Sequence, residues 1–552
     1  MIEQFKNRVT RFTQSHKSNL TYAALIFIVI IGLETIYRAA TEQLKILLPL
    51  NEYLTFGLLF LVLSYCNKNV AKGFLLFLLI FFFFQMGNYN YFGYFIFPIE
   101  IYLFFTKQRE ILEVVPYALN MILLPLAAII VTWIIIALVD RKFQTRKTTW
   151  KMSVFFLLIL MLPILKLGFT KERNQLGSRP SEDKSILKNS IYVTQYFFGK
   201  TFPHLLFNIG TIQAWERDEF KTVANQGYYD NVVFIIGESL TKNHMSLFGY
   251  LKATTPNLDK LRDNKNFLYR PAISAGVFTD TAIPAILGVA KKPDATAYII
   301  SSKNNLFRLA KQQGYTTYFI SAQSRDNFSY IRSYMGLTHI DHYIDSSTVT
   351  GDDYSTLQDS FLIDELKKIP LGHGQSGNKN LIILNMAGSH EPYSSRYPAQ
   401  FNKFGESFSD QYDNSVYYTD HILTSIIEYL QKNNSGKTAF IFTSDHGQHV
   451  GESGYGKGNI EMPTDYEVPL LVYSIHADLE SEVRQRFDKE WSSHYEIAEL
   501  VAYYLGYDSL RSIEGSVNDA QVMYVCGGEI NGNSGYTELR YLKSGFERIF
   551  HY

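Results

Sequence analysis

The longest apolar runs of the chain fall in its first third, and that asymmetry limits the possible folds more than any single motif. Leu, Ile, Phe and Val dominate residues 20–169. Five apolar segments, near 20–37, 46–66, 70–87, 114–139 and 152–169, each approach the ~20 residues a membrane-spanning helix needs. The 114–139 segment carries no charge from Val115 to Val139, whereas the second holds Glu52 and the fifth holds Lys166. No small-residue cleavage site follows the first run, so the N-terminus reads as a retained span rather than a cleaved signal. Cations set the orientation. Lys6, Arg8, Arg11 and Lys17 precede the first span, Lys68 and Lys72 mark the second turn, and Arg141, Lys142, Arg146, Lys147 and Lys151 fill the loop before the fifth. The opposite loops hold only Arg38, Lys45, Lys107 and Arg109. Positive charge gathers on the cytoplasmic side, so everything after Phe169 is expected outside the cytoplasm.

A chain of 552 residues is long enough for more than one domain. Its 52 Lys and Arg balance 52 Asp and Glu, which gives no electrostatic argument for nucleic acid. Cys66 and Cys526 are expected on opposite sides of the bilayer, which excludes an intrachain disulfide. Residues 1–169 are therefore expected to form a transmembrane domain, 170–225 an amphipathic connector with a helix near 191–209 on the outer leaflet, and 226–552 a soluble domain. The outer loop 87–112, rich in Tyr and Phe, fits either an aromatic belt or a lipid-handling surface.

From Asn231 the pattern becomes α/β. Short apolar strands are expected at 232–236, 317–320, 381–384, 439–442 and 470–473, with amphipathic helices between them, as at 305–313 and 420–431. Such alternation favours a mainly parallel sheet covered on both faces, with ligands gathered at the carboxyl ends of the strands. Glu238, Gly388-Ser389-His390 and Asp445-His446 all fall just after an expected strand. Two carboxylates and an imidazole suit zinc better than manganese or magnesium. Asp445 as a helix cap and His446 as a buried imidazole is the competing structural reading. Thr279 and Thr281, in the turn Phe278-Thr279-Asp280-Thr281, are candidate hydroxyl nucleophiles, although each also fits an ordinary helix cap. His390 is a candidate donor to a phosphoryl oxygen or a leaving group.

Together these segments resemble the phosphoethanolamine transferases of Gram-negative inner membranes, in the sulfatase/alkaline-phosphatase superfamily. The resemblance rests on Val233-Phe234-Ile235-Ile236-Gly237-Glu238-Ser239, on Gly249-Tyr250 with Thr254-Thr255-Pro256-Asn257-Leu258, and on Gly388-Ser389-His390 with Arg396-Tyr397-Pro398. Tyr412-Asp413-Asn414-Ser415, Tyr418-Thr419-Asp420 and Ser444-Asp445-His446-Gly447 complete it. It implies five spans followed by a periplasmic catalytic domain. It also implies zinc held by Glu238, Thr279, Asp445 and His446, with Thr279 as nucleophile and His390 in the substrate site. Phosphoethanolamine would pass from phosphatidylethanolamine through a phosphothreonine-type intermediate to a lipopolysaccharide acceptor, a core sugar or lipid A. The lack of disulfides favours the core.

Two departures stand out. Where the family often places a further His beyond the Asp-His pair, this chain has Gly456-Lys457-Gly458, so Lys457, or the nearer His449, is expected to meet the substrate phosphate. The headgroup pattern Asn-x3-Thr-x3-Glu of some members becomes Tyr102, Thr106 and Glu110. Sulfatase activity itself is not expected, because the modifiable Cys/Ser-x-Pro-x-Arg motif is absent. The rival expectations are a phosphoglycerol transferase of the lipoteichoic-acid-synthase type and a catalytically inactive membrane sensor.

Overall fold

The computed structural model describes residues 2–41, 46–92, 95–96, 98–106, 108–169, 184–203, 220–222, 227–290, 293, 303–328, 331–371, 377–433, 436–451, 454–458, 460–511, 521–527, 536–542 and 545–551. The chain divides into two compact units, Met1–Ile209 and Gly210–Tyr552.

The first unit is helical. Among the described residues, four helices are long and apolar enough to cross a membrane, over His16–Ala40, Lys68–Tyr91, Ala118–Lys142 and Trp150–Leu167. The second expected span, 46–66, is the helix Leu50–Ser64, which has only 15 residues. At 1.5 Å per residue it reaches about 22 Å, short of the roughly 30 Å hydrocarbon core. Pro49 sets its start, and Glu52 in its first turn is buried and paired with Lys188 at 2.5 Å. Arg38, expected in an outer loop, instead lies in the last turn of the first helix, where its buried guanidinium meets Glu34 at 2.9 Å. A buried ion pair of this kind needs its remaining polar atoms satisfied. Glu34 Oε1, which meets Arg38, also accepts the Ile186 N–H at 2.7 Å. That contact anchors the helix Ile186–Tyr196, which Ser185 caps through the Lys188 N–H. Ile186 and Leu187 are buried in the core of the first unit, so the amphipathic helix begins before the expected 191–209 and packs against protein. Tyr102 and Thr106 fall in the helix Pro98–Thr106 and Glu110 in Gln108–Lys142, but their side chains lie outside the described residues.

The second unit is built on an eight-stranded sheet. In chain order its strands are β1 (Asn231–Gly237), β2 (Phe267–Ile273), β3 (Tyr315–Ser321), β4 (His342–Ile344), β5 (Lys379–Asn385) and β6 (Thr438–Ser444). A two-stranded hairpin of β7 (His449–Val450) and β8 (Tyr455–Gly456) intervenes before β9 (Glu467–Ile475) and β10 (Ser492–Ser493). The spatial order is β10-β2-β9-β6-β1-β5-β3-β4. All neighbours pair parallel except β9, which runs antiparallel to both β6 and β2. All five expected strands are present. β2 was not legible because Arg270 and Pro271 interrupt its apolar pattern; Pro271 sits opposite Pro469 of β9, where neither residue has an N–H to give.

The period of two along β1 shows how the sheet is covered. Val232, Phe234 and Ile236 join one core with Ile283 and Ile286, Leu306 and Phe307, and Ile497 and Val501. These come from the helices Thr279–Leu287, Leu306–Gln312 and His494–Tyr504. Val233 and Ile235 join the other core with Tyr412, Val416, Ile422 and Ile426 of the long helix Phe408–Asn433. Burial on both faces explains why these strands read as continuous apolar runs. A three-stranded antiparallel meander, β11 (Gln521–Cys526), β12 (Tyr536–Leu542) and β13 (Gly545–His551), follows.

Candidate metal centre and nucleophile

The central parallel strands β6, β1, β5 and β3 are neighbours, so their carboxyl ends bring Asp445-His446, Glu238, Gly388-Ser389-His390 and Gln323 to one edge. There Glu238, Asp445 and His446 form a buried group whose ligand atoms lie within 4.8 Å of one another. Thr279 Oγ1 points into the same group. It donates toward Asp445 Oδ2 at 2.7 Å and lies 3.2 Å from Glu238 Oε2 and 3.4 Å from His446 Nε2. Thr281 is placed differently, since its hydroxyl donates to the Phe278 carbonyl at 2.9 Å as a local cap.

Each ligand atom is aimed by its surroundings. Glu238 Oε1 accepts from Ser239 Oγ at 2.7 Å, and Oε2 accepts from Gln323 Nε2 at 3.0 Å. Asp445 Oδ1 accepts the Ser239 N–H at 3.1 Å and the His446 N–H at 2.7 Å, leaving Oδ2 for Thr279. His446 Nδ1 donates to the Gly447 carbonyl at 2.8 Å, which turns Nε2 toward both carboxylates, 3.3 Å from Glu238 and 3.4 Å from Asp445. Three buried Lewis-basic atoms and a hydroxyl thus converge, and this donor set fits a divalent cation of the zinc type.

The electrostatics carry the mark of that crowding. Burial opposes charge on Glu238, but the Lys457 ammonium and the His446 imidazole hold it well below the usual carboxylate range. Burial and the Glu238 charge lift Asp445 to about 6. Burial depresses His446 most, yet the Asp445 and Glu238 carboxylates together outweigh it, so the pKa of the imidazole is raised.

The loop ahead of Thr279 is held at three points. Ser274 N–H donates to the Tyr466 carbonyl at 2.8 Å, and Ala275 N–H donates to His494 Nδ1 at 3.1 Å. Cys526 pairs with the loop through its N–H to the Ala275 carbonyl at 2.8 Å and its carbonyl to the Val277 N–H at 3.3 Å. His494 is fully buried and ties this loop to the end of β6, because its Nε2 donates to the Ser444 carbonyl at 2.8 Å. Burial drives its pKa down to about 3, so it stays neutral.

His390 is half-buried, with Nδ1 donating to the Glu391 carbonyl at 2.6 Å. Arg396 clamps the same turn through the His390 and Glu391 carbonyls at 2.7 and 2.8 Å. Gly388 sits at φ +54°, and a Cβ there would lie 2.6 Å from the Glu238 carbonyl, so only glycine lets the two strand ends approach. Lys457 Nζ stands 3.4 Å from Glu238 Oε1. His449 is outside the metal-capable group; it is buried, with Nδ1 2.7 Å from Asp465 Oδ1.

The motifs on the helix Phe408–Asn433 hold loops around the site. Tyr412 bonds the Ser239 carbonyl at 2.7 Å and accepts the Thr241 N–H at 3.0 Å. Asp413 gathers His244, Tyr250 and Lys252, while Asn414 accepts the Lys403 and Phe404 N–H groups. Asp420 accepts the N–H groups of Asn257 and Leu258, which explains the pairing of Thr-Thr-Pro-Asn-Leu with Tyr-Thr-Asp. Gln323, Asp359 and His494 were not identified from sequence. Asp359 accepts the Ala387 and Gly388 N–H groups, and none of the three lies in a recognisable motif.

The sulfatase family model matches residues 230–506, half of the chain. The chain belongs to the sulfatase family. Among curated relatives it is 29% identical over 315 residues to the Kdo(2)-lipid A phosphoethanolamine 7''-transferase of Salmonella typhimurium, covering 50% of this chain and 52% of that protein. It is 31% identical over 263 residues to a phosphoethanolamine transferase of Helicobacter pylori, covering 44% and 47%. The chain thus spans about half the length of these relatives. An integral membrane lipooligosaccharide phosphoethanolamine transferase of Neisseria meningitidis shares the fold, with a TM-score of 0.56 at 15% identity over 88% of this chain and 96% of that one.

Proposed function

We propose that this protein is a zinc-dependent phosphoethanolamine transferase of the bacterial inner membrane, with its second unit in the periplasm. The donor is phosphatidylethanolamine and the acceptor a lipopolysaccharide phosphate or core sugar. The observation that carries the reading is the convergence of Thr279 Oγ1 on Glu238, Asp445 and His446. The named activities of the relatives agree with it.

Glu238, Asp445, His446 and Thr279 would hold the ion. Zinc bound there supplies a positive charge that lowers the hydroxyl pKa and offsets charge developing at phosphorus. The remaining work falls to the chain. Asp445 Oδ2 orients the Thr279 hydroxyl proton, and the hydroxyl sits at the first turn of the helix Thr279–Leu287. In the first step the Thr279 Oγ–P bond forms and the bond from phosphorus to the diacylglycerol oxygen breaks. The proton lost by Thr279 is balanced by the proton gained by diacylglycerol. An acceptor oxygen then attacks phosphorus, the Thr279 Oγ–P bond breaks, and the proton lost by the acceptor is balanced by the proton regained by Thr279. His390, held by its bond to the Glu391 carbonyl and by Arg396, and the Lys457 ammonium are the cationic or donor groups for the phosphoryl oxygens. Apolar helices in the first unit suit a donor that is a bilayer lipid.

The test is diacylglycerol release from phosphatidylethanolamine vesicles by the purified full chain. Thr279→Ala is expected to abolish it. Release at the wild-type rate from that variant would remove Thr279 from the mechanism. Headgroup analysis of the modified acceptor would distinguish phosphoethanolamine from phosphoglycerol.

A further inference from the structure

The candidate centre contains a cation of its own. Lys457 Nζ lies 3.4 Å from Glu238 Oε1, the oxygen that His446 Nε2 also approaches at 3.3 Å. The lysine is held in place. It follows directly on β8, whose Tyr455 and Gly456 pair with Val450 and His449 of β7, and that strand leaves the same strand end as Asp445-His446. On its other side Gly458, at φ +96°, packs so closely on Phe278 that a Cβ would lie 2.3 Å from the ring. Phe278 immediately precedes Thr279. The backbone of Lys457 is therefore held beside the Phe278–Thr279 loop, and its ammonium, on a side chain 23% exposed, reaches the metal-capable group at Glu238.

Formal charge shows the consequence. With His446 neutral, Glu238 and Asp445 contribute two negative charges and a divalent ion would balance them. Lys457 already supplies one positive charge at one of the two carboxylates. An incoming ion must displace that contact or bind beside a like charge a few ångströms away.

We propose that Lys457 is a tethered competitor for the metal, which weakens the affinity of the centre for zinc and makes its loading depend on zinc supply. This inference rests on the zinc reading above and deepens it. It assigns Lys457 a positioning and regulatory role toward the ion in addition to any contact with substrate phosphate. Unit charges near 4 Å at a partly buried site interact strongly enough to change an affinity by an order of magnitude or more. Lys457→Met removes the charge and keeps the stem, whereas Lys457→Arg keeps the charge.

The experiment is competition for zinc between a chromophoric chelator and the EDTA-stripped full chain in detergent. Thermal unfolding of each variant confirms that it is folded. All forms are expected to bind one equivalent. Lys457→Met, and Lys457→Gln as a second neutral variant, are expected to bind about tenfold or more tightly than wild type, with Lys457→Arg near wild type. Equal or weaker binding by both folded neutral variants, with stoichiometric zinc in all forms, overturns the inference and leaves the zinc reading standing. Absence of stoichiometric zinc from wild type and variants alike overturns both.

Discussion

His494 offers a quantitative test of how the loop ahead of Thr279 is built. Its ring accepts the Ala275 N–H through Nδ1 and donates to the Ser444 carbonyl through Nε2, so only the neutral imidazole satisfies both partners. Its folded pKa is about 3 because burial penalises the cation, while an unfolded histidine titrates near 6.5. The unfolded chain therefore binds the extra proton first. The contribution of His494 to stability is complete above pH 6.5 and is lost progressively as pH falls toward 3. Between pH 7 and pH 5 those two values correspond to a loss of about 2 kcal/mol. His494→Gln keeps a donor and an acceptor but does not titrate. Imperfect geometry is expected to cost it about 1–3 kcal/mol at pH 7, and its stability should fall less steeply with acid. The assay is pulse proteolysis in urea of the EDTA-treated full chain, following the second unit through a C-terminal tag, at pH 7, 6 and 5. Removing metal keeps loading from varying with pH, and the wild-type-minus-variant difference isolates His494 from the carboxylates. Parallel pH profiles for the two proteins would refute the assignment of a neutral bridging imidazole.

Gln323→Ala removes the amide donor to Glu238 Oε2, and zinc affinity by chelator competition is expected to fall about 10- to 100-fold while the chain stays folded. Gly388→Ala forces a Cβ against the Glu238 backbone at a left-handed φ; it is expected to cost about 1–3 kcal/mol in urea unfolding and to depress diacylglycerol release together with zinc affinity.

Particular residues show what could be read without a structure. The largely apolar runs at β1, β3, β5 and β6 were legible because a strand buried on both faces leaves a nearly continuous hydrophobic signature, and Glu238 and Asp445 were legible as candidates because ligands gather at the ends of such strands. β2 was hidden by Arg270 and Pro271, and the antiparallel direction of β9 leaves no local signature at all. The length of the second apolar helix turned on Pro49 and on Glu52, whose ion pair with Lys188 is a contact across more than a hundred residues.

By itself, the amino-acid sequence determined a helical apolar first part, an α/β second part and the residue types of a candidate metal centre, because periodicity and strand-end chemistry are local properties. Tertiary structure alone decided which hydroxyl points at that centre. Thr279 and Thr281 are two residues apart on one helix, and helical rotation sends the first to Asp445 and the second back to Phe278. It alone brought Gln323 to Glu238 and His494 to the loop ahead of Thr279, since these bonds join segments 85 and 219 residues apart. And it placed Lys457 at a carboxylate of the centre while burying His449 against Asp465, a distinction that depends on how the β7–β8 hairpin packs.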